Sequence, residues 1–125
     1  MPITSAVAAT GRFTLVSVID PYTIEDWCAA MLLVWDSDAF RTHRALLIDR
    51  RQAKPLSVSF VDTMTRFLSE HHAKIAGSRT ASVVPDDSGF GMGRMTELRA
   101  SVESPDAMIR PFRDYDDAVR WLTAS

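Results

Sequence analysis

The sequence predicts a single α/β domain, residues 1–125, with a mixed, mainly parallel sheet of about five strands and four helices in the order ββαβαβαβα. Two observations predict this class. Short β-branched runs alternate with longer stretches whose apolar residues recur every three or four positions. A length of 125 residues, 46% of them hydrophobic, suits one core of ordinary size. Because crossovers between parallel strands are almost always right-handed, we expect helices over both faces of the sheet or most of one face.

The first third of the chain predicts an antiparallel strand pair and a helix. Strands at Ile3–Val7 and Arg12–Ile19 flank Gly11, which suits a hairpin turn, and we expect the second strand to be central. Thr23 and Asp26 have the spacing of a capping box at the start of the helix. Its predicted buried face consists of Ile24, Trp27, Cys28, Met31, Leu32 and Trp35.

The middle of the chain predicts two strands with a helix between them. The apolar run Arg44–Arg51 ends abruptly in charge, as a buried parallel strand does where it leaves the sheet. Ser57 or Ser59 should cap the next helix, which we expect to end at Gly77. The buried face of this helix is predicted to contain Val61, Met64, Leu68 and Ile75. Thr80–Val84 is the following strand.

The last third predicts a third helix, an edge strand and a closing helix. The apolar face of the third helix should consist of Met92, Met95, Leu98 and Val102, so that this helix begins inside or just after a run of glycines. Pro111 lacks a backbone donor and therefore favours an edge position for the strand Ala107–Phe112. Asp114 should cap the closing helix. Its inward residues are expected to be Tyr115, Ala118, Val119 and Leu122.

The stretch "DDSGFGMGRM" invites a test for a phosphate-binding loop. A Walker-type loop needs lysine and a hydroxyl residue after its last glycine, but Gly93 is followed by arginine and methionine. A dinucleotide fingerprint has different glycine spacing and follows the first strand of its unit. We therefore interpret the run as a strand-to-helix turn, capped by one of residues 86–88. The alternative is an anion bound at the helix start by Ser88, Gly89, Gly91 and Arg94.

A second candidate site lies in "RTHRALLIDRRQAKPLSVS". Residues 41–54 carry five Arg or Lys against one acid, and the segment leads into a predicted helix start. Ligands of open α/β sheets collect at the carboxyl ends of strands and at the helix starts that follow. The candidates for an anion or phosphorylation site are Asp49, Arg50, Arg51, Ser57 and Ser59. The alternative is a solvated charged loop with an ordinary serine cap.

Other chemistry has little support in the sequence. A formal charge of −2 gives no general attraction to nucleic acid. The single cysteine, Cys28, excludes an internal disulfide and is expected to be an inert core residue. The three histidines lack the spacing of metal ligands, and no catalytic triad signature occurs. We therefore expect no metal, no cofactor and no enzymatic activity.

Location and association are predicted from the apolar runs. No run approaches the roughly 18 apolar residues of a membrane span, and the first residues make a poor signal peptide, so we expect a cytoplasmic protein. In "LLVWDSDAF", apolar residues continue past the regular face of the first helix. Trp35 and Phe40 are therefore expected at the surface, as a candidate interface.

Four phrases carry a resemblance to a known family: "YTIEDW", "LLIDRR", "FGMGRMTE" and "RPFRDYDDAVRWL", of which the last two are the most specific. Over nearly its whole length the chain resembles the SpoIIAA-like proteins, bacterial single-domain relatives of the STAS (anti-anti-sigma-factor) fold, grouped with the Sec14-like fold. The resemblance implies a sheet of four or five strands, often a homodimer, and usually no assigned activity. The phosphorylated serine of anti-anti-sigma factors would fall near Ser57 and Ser59, although "PLSVSFVD" lacks the paired serines and the glycine of that motif.

The resemblance favours a non-enzymatic regulatory or protein-interaction module with a protein partner, in a pathway that the sequence does not name. The alternative is a protein that binds a small apolar or anionic ligand. Sec14-like kinship, six methionines and the two candidate anion sites suggest it. An enzyme using Asp49 and its neighbouring arginines is a third hypothesis.

Overall fold

The computed structural model describes residues 2–8 and 11–124. These residues form five strands and six helices. The strands are β1 (Ile3–Val7), β2 (Thr14–Ile19), β3 (Ala45–Gln52), β4 (Arg79–Val83) and β5 (Met108–Phe112). The helices are α1 (Ile24–Trp35), α2 (Asp38–His43), α3 (Val58–Glu70), α4 (His72–Ile75), α5 (Asp87–Glu103) and α6 (Tyr115–Thr123).

The strands form one sheet in the order β1-β2-β3-β4-β5. β1 pairs with β2 antiparallel, and the other three pairings are parallel, which confirms the mixed, mainly parallel sheet. β2 is an interior strand, but the middle position belongs to β3. β5 lies at an edge, as the proline in it predicts.

Side-chain caps begin the helices at the positions that the sequence indicates. Thr23 and Asp26 form a complete capping box on α1. Ser57, rather than Ser59, caps α3 by accepting the Phe60 amide at 3.1 Å. The carboxylate of Asp114 caps α6. Each cap satisfies an amide that the first turn of a helix leaves without a partner.

Two short helices raise the number beyond the four that the sequence predicts. Ser37 caps α2, which follows α1 after a two-residue break. The second predicted helix is interrupted at His71, where the backbone leaves helical geometry and the imidazole lies 4.4 Å from the Phe67 ring. α4 then completes the stretch, and Gly77 follows it with φ at 77°. That positive φ suits glycine at a helix end.

The two faces of the sheet carry different numbers of helices. Of the helices in the described residues, α6 is the one that packs on the first face, where its Ala118 and Leu122 meet the alternate side chains of β3 and β4. The longer helices α1, α3 and α5 cover the opposite face, together with α2 and α4. Both faces are therefore covered, which is the first of the two arrangements that the sequence predicts.

The inward face of α5 differs from the prediction. Leu98 and Val102 are 62% and 80% exposed. The residues turned toward the protein are the small ones, at spacings of four, three and four: Gly89, Gly93, Thr96 and Ala100. α5 approaches β5 closely, and only small side chains fit between them. Leu98 and Val102, which were predicted to face the core, therefore lie on the outer face of α5.

The expected exposure of Trp35 and Phe40 was wrong. Trp35 is 3% exposed and stacks on Phe67 at 5.6 Å, and Phe40 is fully buried. α2 turns the chain back over the core after α1, which covers the residues beyond the regular face of α1. Both aromatics therefore contribute to the core of this chain.

Candidate functional site

A narrow cavity lies between the sheet and helices α1, α3 and α5. The space that the centre of a water molecule can reach inside it is about 60 Å³. Ser78 and Val84 both line it, and six residues of extended chain separate them, so it runs roughly 20 Å along β4. A volume this small over such a length describes a channel rather than a round chamber.

The channel has a closed end and an open end. At the amino ends of the parallel strands its lining residues Ile75, Ser78 and Ala107 are buried. At the carboxyl ends of β3 and β4 the lining includes Lys54 and Pro85, which are exposed. The mouth thus lies where open α/β sheets commonly bind ligands.

The wall that β4 contributes is polar. Alternate residues of a strand share one face, so Ser78, Thr80 and Ser82 all turn toward the channel. The hydroxyl of Ser78 donates to the Ile75 carbonyl at 2.5 Å. Those of Thr80 and Ser82 make no hydrogen bond to another described residue. Packing alone would favour apolar side chains at these two positions.

Arg50 carries a buried charge into the mouth of the channel. It is 5% exposed and lines the cavity. Its guanidinium donates to the hydroxyl of Tyr22 and lies 5.7 Å from the centre of that ring. An edge-on contact with Phe60 of α3, 5.8 Å between ring centres, holds Tyr22 in place. Across the described part of the chain, no carboxylate forms an ion pair with Arg50.

Burial dominates the electrostatics of this pair. It lowers the pKa of Arg50, because the charged guanidinium loses hydration, while Tyr22 and Asp20 raise that pKa again in part. Burial also raises the pKa of the Tyr22 phenol, and the Arg50 charge opposes that shift. Asp20 acts on Arg50 through space and forms no hydrogen bond with it. The Asp20 carboxylate instead accepts the backbone amide of Lys54.

Trp27 adds an unused donor to the same cavity. Three buried side-chain polar atoms of the described residues lack a hydrogen-bond partner: Thr14 Oγ1, Trp27 Nε1 and Ser104 Oγ. Of these three residues, only Trp27 lines the channel. It is 2% exposed and begins the second turn of α1, five residues after Tyr22. α1 begins at Ile24, two residues after Tyr22, and three residues of helix rise about 4.5 Å, so Trp27 belongs to the mouth half of the channel.

The predicted cluster at the end of β3 is divided between the two faces of the sheet. Asp49 and Arg51 share the face opposite Arg50, where they form a bidentate pair with N–O distances of 2.9 and 2.8 Å. Arg51 also lies 5.0 Å from the centre of the Tyr115 ring. Of the predicted residues in this strand, the structure therefore brings Arg50 alone into the cavity.

Ser57 and Ser59 stand apart from the channel at the start of α3. Both are exposed, and their hydroxyl oxygens lie 3.2 Å apart. The Ser57 hydroxyl already accepts an amide as the helix cap. Phosphorylation at either serine stays a prediction.

The glycine run is part of a helix rather than a loop. α5 begins at Asp87, so the amides of Gly91 and Gly93 belong to the interior of the helix. The Gly89 amide donates to the Asp86 carboxylate at 2.8 Å. A Cβ on Gly93 would lie 2.5 Å from the Pro111 Cβ, whereas one on Gly91 would meet nothing within 4 Å. Close packing therefore requires glycine at Gly93, whereas nothing in the surroundings of Gly91 requires it.

The remaining predicted contacts of this helix start do not form a pocket. Ser88 and Gly91 are exposed, and Arg94 pairs with Glu97 on its own helix at 2.8 Å. The carboxylate of Asp86 is itself an anion at the helix start, and it occupies the amide that a bound anion would use.

Other reactive groups offer no second site. Burial raises the pKa of the Cys28 thiol, and the carboxylates of Glu25 and Glu70 raise it further, which disfavours the thiolate. Within residues 2–8 and 11–124, no three His, Cys, Asp or Glu side chains gather to hold a metal ion. The helices in this part of the chain are all too short or too polar to cross a membrane.

Comparison with solved structures identifies the fold. An uncharacterised protein from Shewanella loihica PV-4, of the DUF3478 family and with a SpoIIAA-like fold, superposes with a TM-score of 0.62. The chain has the SpoIIAA-like fold. The two sequences are 19% identical, and the match covers 96% of this chain and 91% of the other.

A second solved structure supports the same fold. The NMR structure of the protein TM1081 matches with a TM-score of 0.59 at 11% identity, over 97% of this chain and 88% of that one. No protein-family model matches the chain, and neither does any curated protein. At these identities the likeness concerns fold alone, which is the fold that the four sequence phrases indicate.

Sequence reasoning missed three residues of the cavity, Trp27, Thr80 and Ser82, and it missed Tyr22, which binds Arg50 beside the cavity. The alternation Thr-Ala-Ser-Val in β4 is the signal that could have revealed the polar wall, because it places two hydroxyls on one face of a predicted strand. For Tyr22 and Trp27 the sequence carries no such signal. Their roles depend on the approach of α1 to the end of β3.

Proposed function

We propose that the protein binds a small elongated molecule in the channel between the sheet and α1, α3 and α5. The observation that carries this proposal is the polar wall of β4. Thr80 and Ser82 place hydroxyls without protein partners inside a channel that is otherwise lined mainly by apolar side chains. Ligand sites commonly combine an apolar lining with a few such polar groups.

The shape of the channel supports a chain-like ligand. Its deep part is closed by Leu68, Ile75 and Ala107, which suit an apolar end. The channel is long and narrow, which suits a single chain better than a ring system. The ligand is therefore a single apolar chain that can carry a hydrogen-bonding group.

A blocking variant tests the proposal. We expect Ser82→Leu to abolish binding of dodecan-1-ol in calorimetric titration, because the larger side chain occupies the channel. Ser101→Leu is the matched control, since Ser101 is exposed on α5, and it should bind as the wild type does. Native mass spectrometry of gently purified protein should show a bound mass in the wild type and in the control variant. Failure of the wild type to bind dodecan-1-ol or any chain acid would contradict the proposal.

A regulatory or protein-interaction module is the second candidate, and the outer face of α5 favours it. Leu98 and Val102 are exposed beside a groove between α3 and α5. Arg66 and Glu103 also line this groove, and neither has an ion pair with a described residue. Across a two-fold axis, each could face the opposite charge of a second copy, so a homodimer is the partner that this face fits.

Sedimentation tests the second candidate separately. Val102→Glu should shift a dimer toward monomer without changing dodecan-1-ol binding, because the groove and the channel lie on different sides of α5. Ser101→Glu adds the same charge one position away as a control. A wild-type protein that sediments as a monomer at high concentration would remove this candidate.

A further inference from the structure

The buried charge of Arg50 lowers the stability of the folded protein, and its contacts with Tyr22 offset only part of that cost. A buried charge is expensive unless it is paired or hydrogen-bonded on most of its donors. The guanidinium has five N–H groups, and Tyr22 is its one hydrogen-bond partner in the described part of the chain. An anion that bound the remaining N–H groups would offset that cost.

The position of Arg50 suits the head of a ligand. Leu46, Ile48 and Arg50 follow one another along the channel wall of β3, from the closed end toward the mouth. A chain lying in the channel with its apolar end against Ile75 would therefore have its other end beside the guanidinium.

Trp27 supplies a second, independent observation. Its indole N–H is buried without an acceptor and belongs to the mouth half of the same channel. A buried donor left without a partner costs about 1–3 kcal/mol. An acceptor brought by a ligand would relieve that cost together with part of the cost at Arg50.

We infer that the ligand is a chain-like carboxylic acid, whose carboxylate binds Arg50 and accepts the Trp27 indole N–H at the mouth of the channel. This inference rests on the proposed function and names its ligand class. Tyr22 is a positioning residue, since it holds the guanidinium in place.

The count of charges favours a carboxylate over a phosphate. Among the described residues that line the channel, Arg50 is the one buried charge, since Lys54 and Arg110 are exposed, so the interior balances a single negative charge. The planar fork of arginine also matches the two oxygens of a carboxylate. A phosphate monoester carries nearly two charges and would leave one of them without a buried cation.

Paired probes test the inference in the full chain. Calorimetric titration compares dodecanoate, dodecan-1-ol and dodecyl phosphate, which share one chain and differ in the head. We expect the wild type to prefer dodecanoate over dodecan-1-ol by about tenfold to a hundredfold, the usual worth of hydrogen bonds to a charged group. Arg50→Met should remove the preference, because it should lower the affinity for dodecanoate far more than the affinity for dodecan-1-ol.

Matched variants separate recognition from folding. Arg41→Met makes the same substitution at an exposed arginine of α2 and should keep the preference. Trp27→Phe removes the N–H and should lower dodecanoate affinity severalfold. Arg50→Met should also raise the unfolding temperature of the ligand-free protein, because it removes an unpaired buried charge. A purely structural arginine would give a lower temperature.

Each contrary outcome has a distinct meaning. Equal binding of dodecanoate and dodecan-1-ol by the wild type would overturn the carboxylate assignment and leave the proposed function standing. Tighter binding of dodecyl phosphate would overturn it in favour of another anion. Equal loss of both chain ligands in Arg50→Met would mark Arg50 as structural. If none of the three probes binds the wild type, the proposed function itself fails.

Discussion

The two faces of the sheet use the same strands for different purposes. Toward α6, β3 and β4 present Ala45, Leu47, Ala81 and Val83, and each is at most 3% exposed. Toward α1, α3 and α5, the intervening residues of β4 are Thr80 and Ser82, and β3 presents Arg50 two residues before its end. The first face is a packed core, whereas the second leaves a channel and places unpaired polar groups in it.

Three consecutive residues near the end of β3 show the same difference between the two faces. Asp49 and Arg51 satisfy each other on the α6 face. Arg50, between them, has no such partner on the other face. Neighbouring positions of one strand can thus serve stability and binding separately, since alternation sends them to opposite sides of the sheet.

The largest effect that we expect separates the two faces by stability. Leu47→Ala should cost about 2–5 kcal/mol of unfolding free energy, because Leu47 is fully buried against α6. Ser82→Ala should change it by less than about 0.5 kcal/mol, since its hydroxyl has no protein partner to lose. Urea unfolding of both variants measures the contrast. A large cost at Ser82 would mean that the polar wall is structural.

An intermediate effect concerns the wall that α5 adds to the channel face. Gly93→Ala places a Cβ against Pro111 and should cost about 1–3 kcal/mol as the helix is forced from the edge strand. Gly91→Ala is the matched control two residues away, in open space on the same helix. It should stabilise by about 0.5–1 kcal/mol through helix propensity. Equal effects of the two variants in thermal unfolding would contradict the close approach of α5.

The smallest effect is a pH dependence on the α6 face. The Arg51 side chain, through its hydrogen bonds, lowers the pKa of Asp49 in the folded state. The folded protein therefore binds this proton less readily than the unfolded chain, and the pair stabilises it above the unfolded pKa of about 4. That contribution is lost as the pH falls through the lower, folded pKa.

Asp49→Asn isolates the pair. The variant should lose less stability in acid than the wild type does, as measured by urea unfolding between pH 2 and 6. The difference should stay below about 1 kcal/mol because the pair is partly exposed. Asp38→Asn, at an exposed carboxylate of α2 without a basic partner among the described residues, is the control. Equal flattening in both variants would count against a special role of the Asp49 pair.

Much of the fold could be predicted from the sequence because local signals determine it. β-branched runs gave the five strands, Pro111 indicated the edge, and the caps at Thr23, Ser57 and Asp114 began their helices correctly. The inward face of α5 was not predictable from apolar spacing. A close helix-to-strand approach selects small residues, and a pattern based on hydrophobicity does not register them.

The site was less accessible to sequence reasoning. Arg50 was identified from its place at a strand end, but it was grouped with Asp49 and Arg51, which alternation sends to the other face. The prediction of an exposed Trp35 was wrong because the sequence analysis does not identify α2. The role of Trp27 depends on a missing acceptor, and only the three-dimensional surroundings of an N–H reveal that.

The placement of the tryptophans has a spectroscopic consequence. Trp27 and Trp35 line the channel, and Trp121 lies on the α6 side, between Arg79 and Arg110. An acceptor arriving at the Trp27 indole would shift the emission of that residue, while Trp121 would keep its surroundings and act as an internal reference. The chain therefore carries its own optical indicator of channel occupancy, and no label is needed to follow filling and emptying in real time.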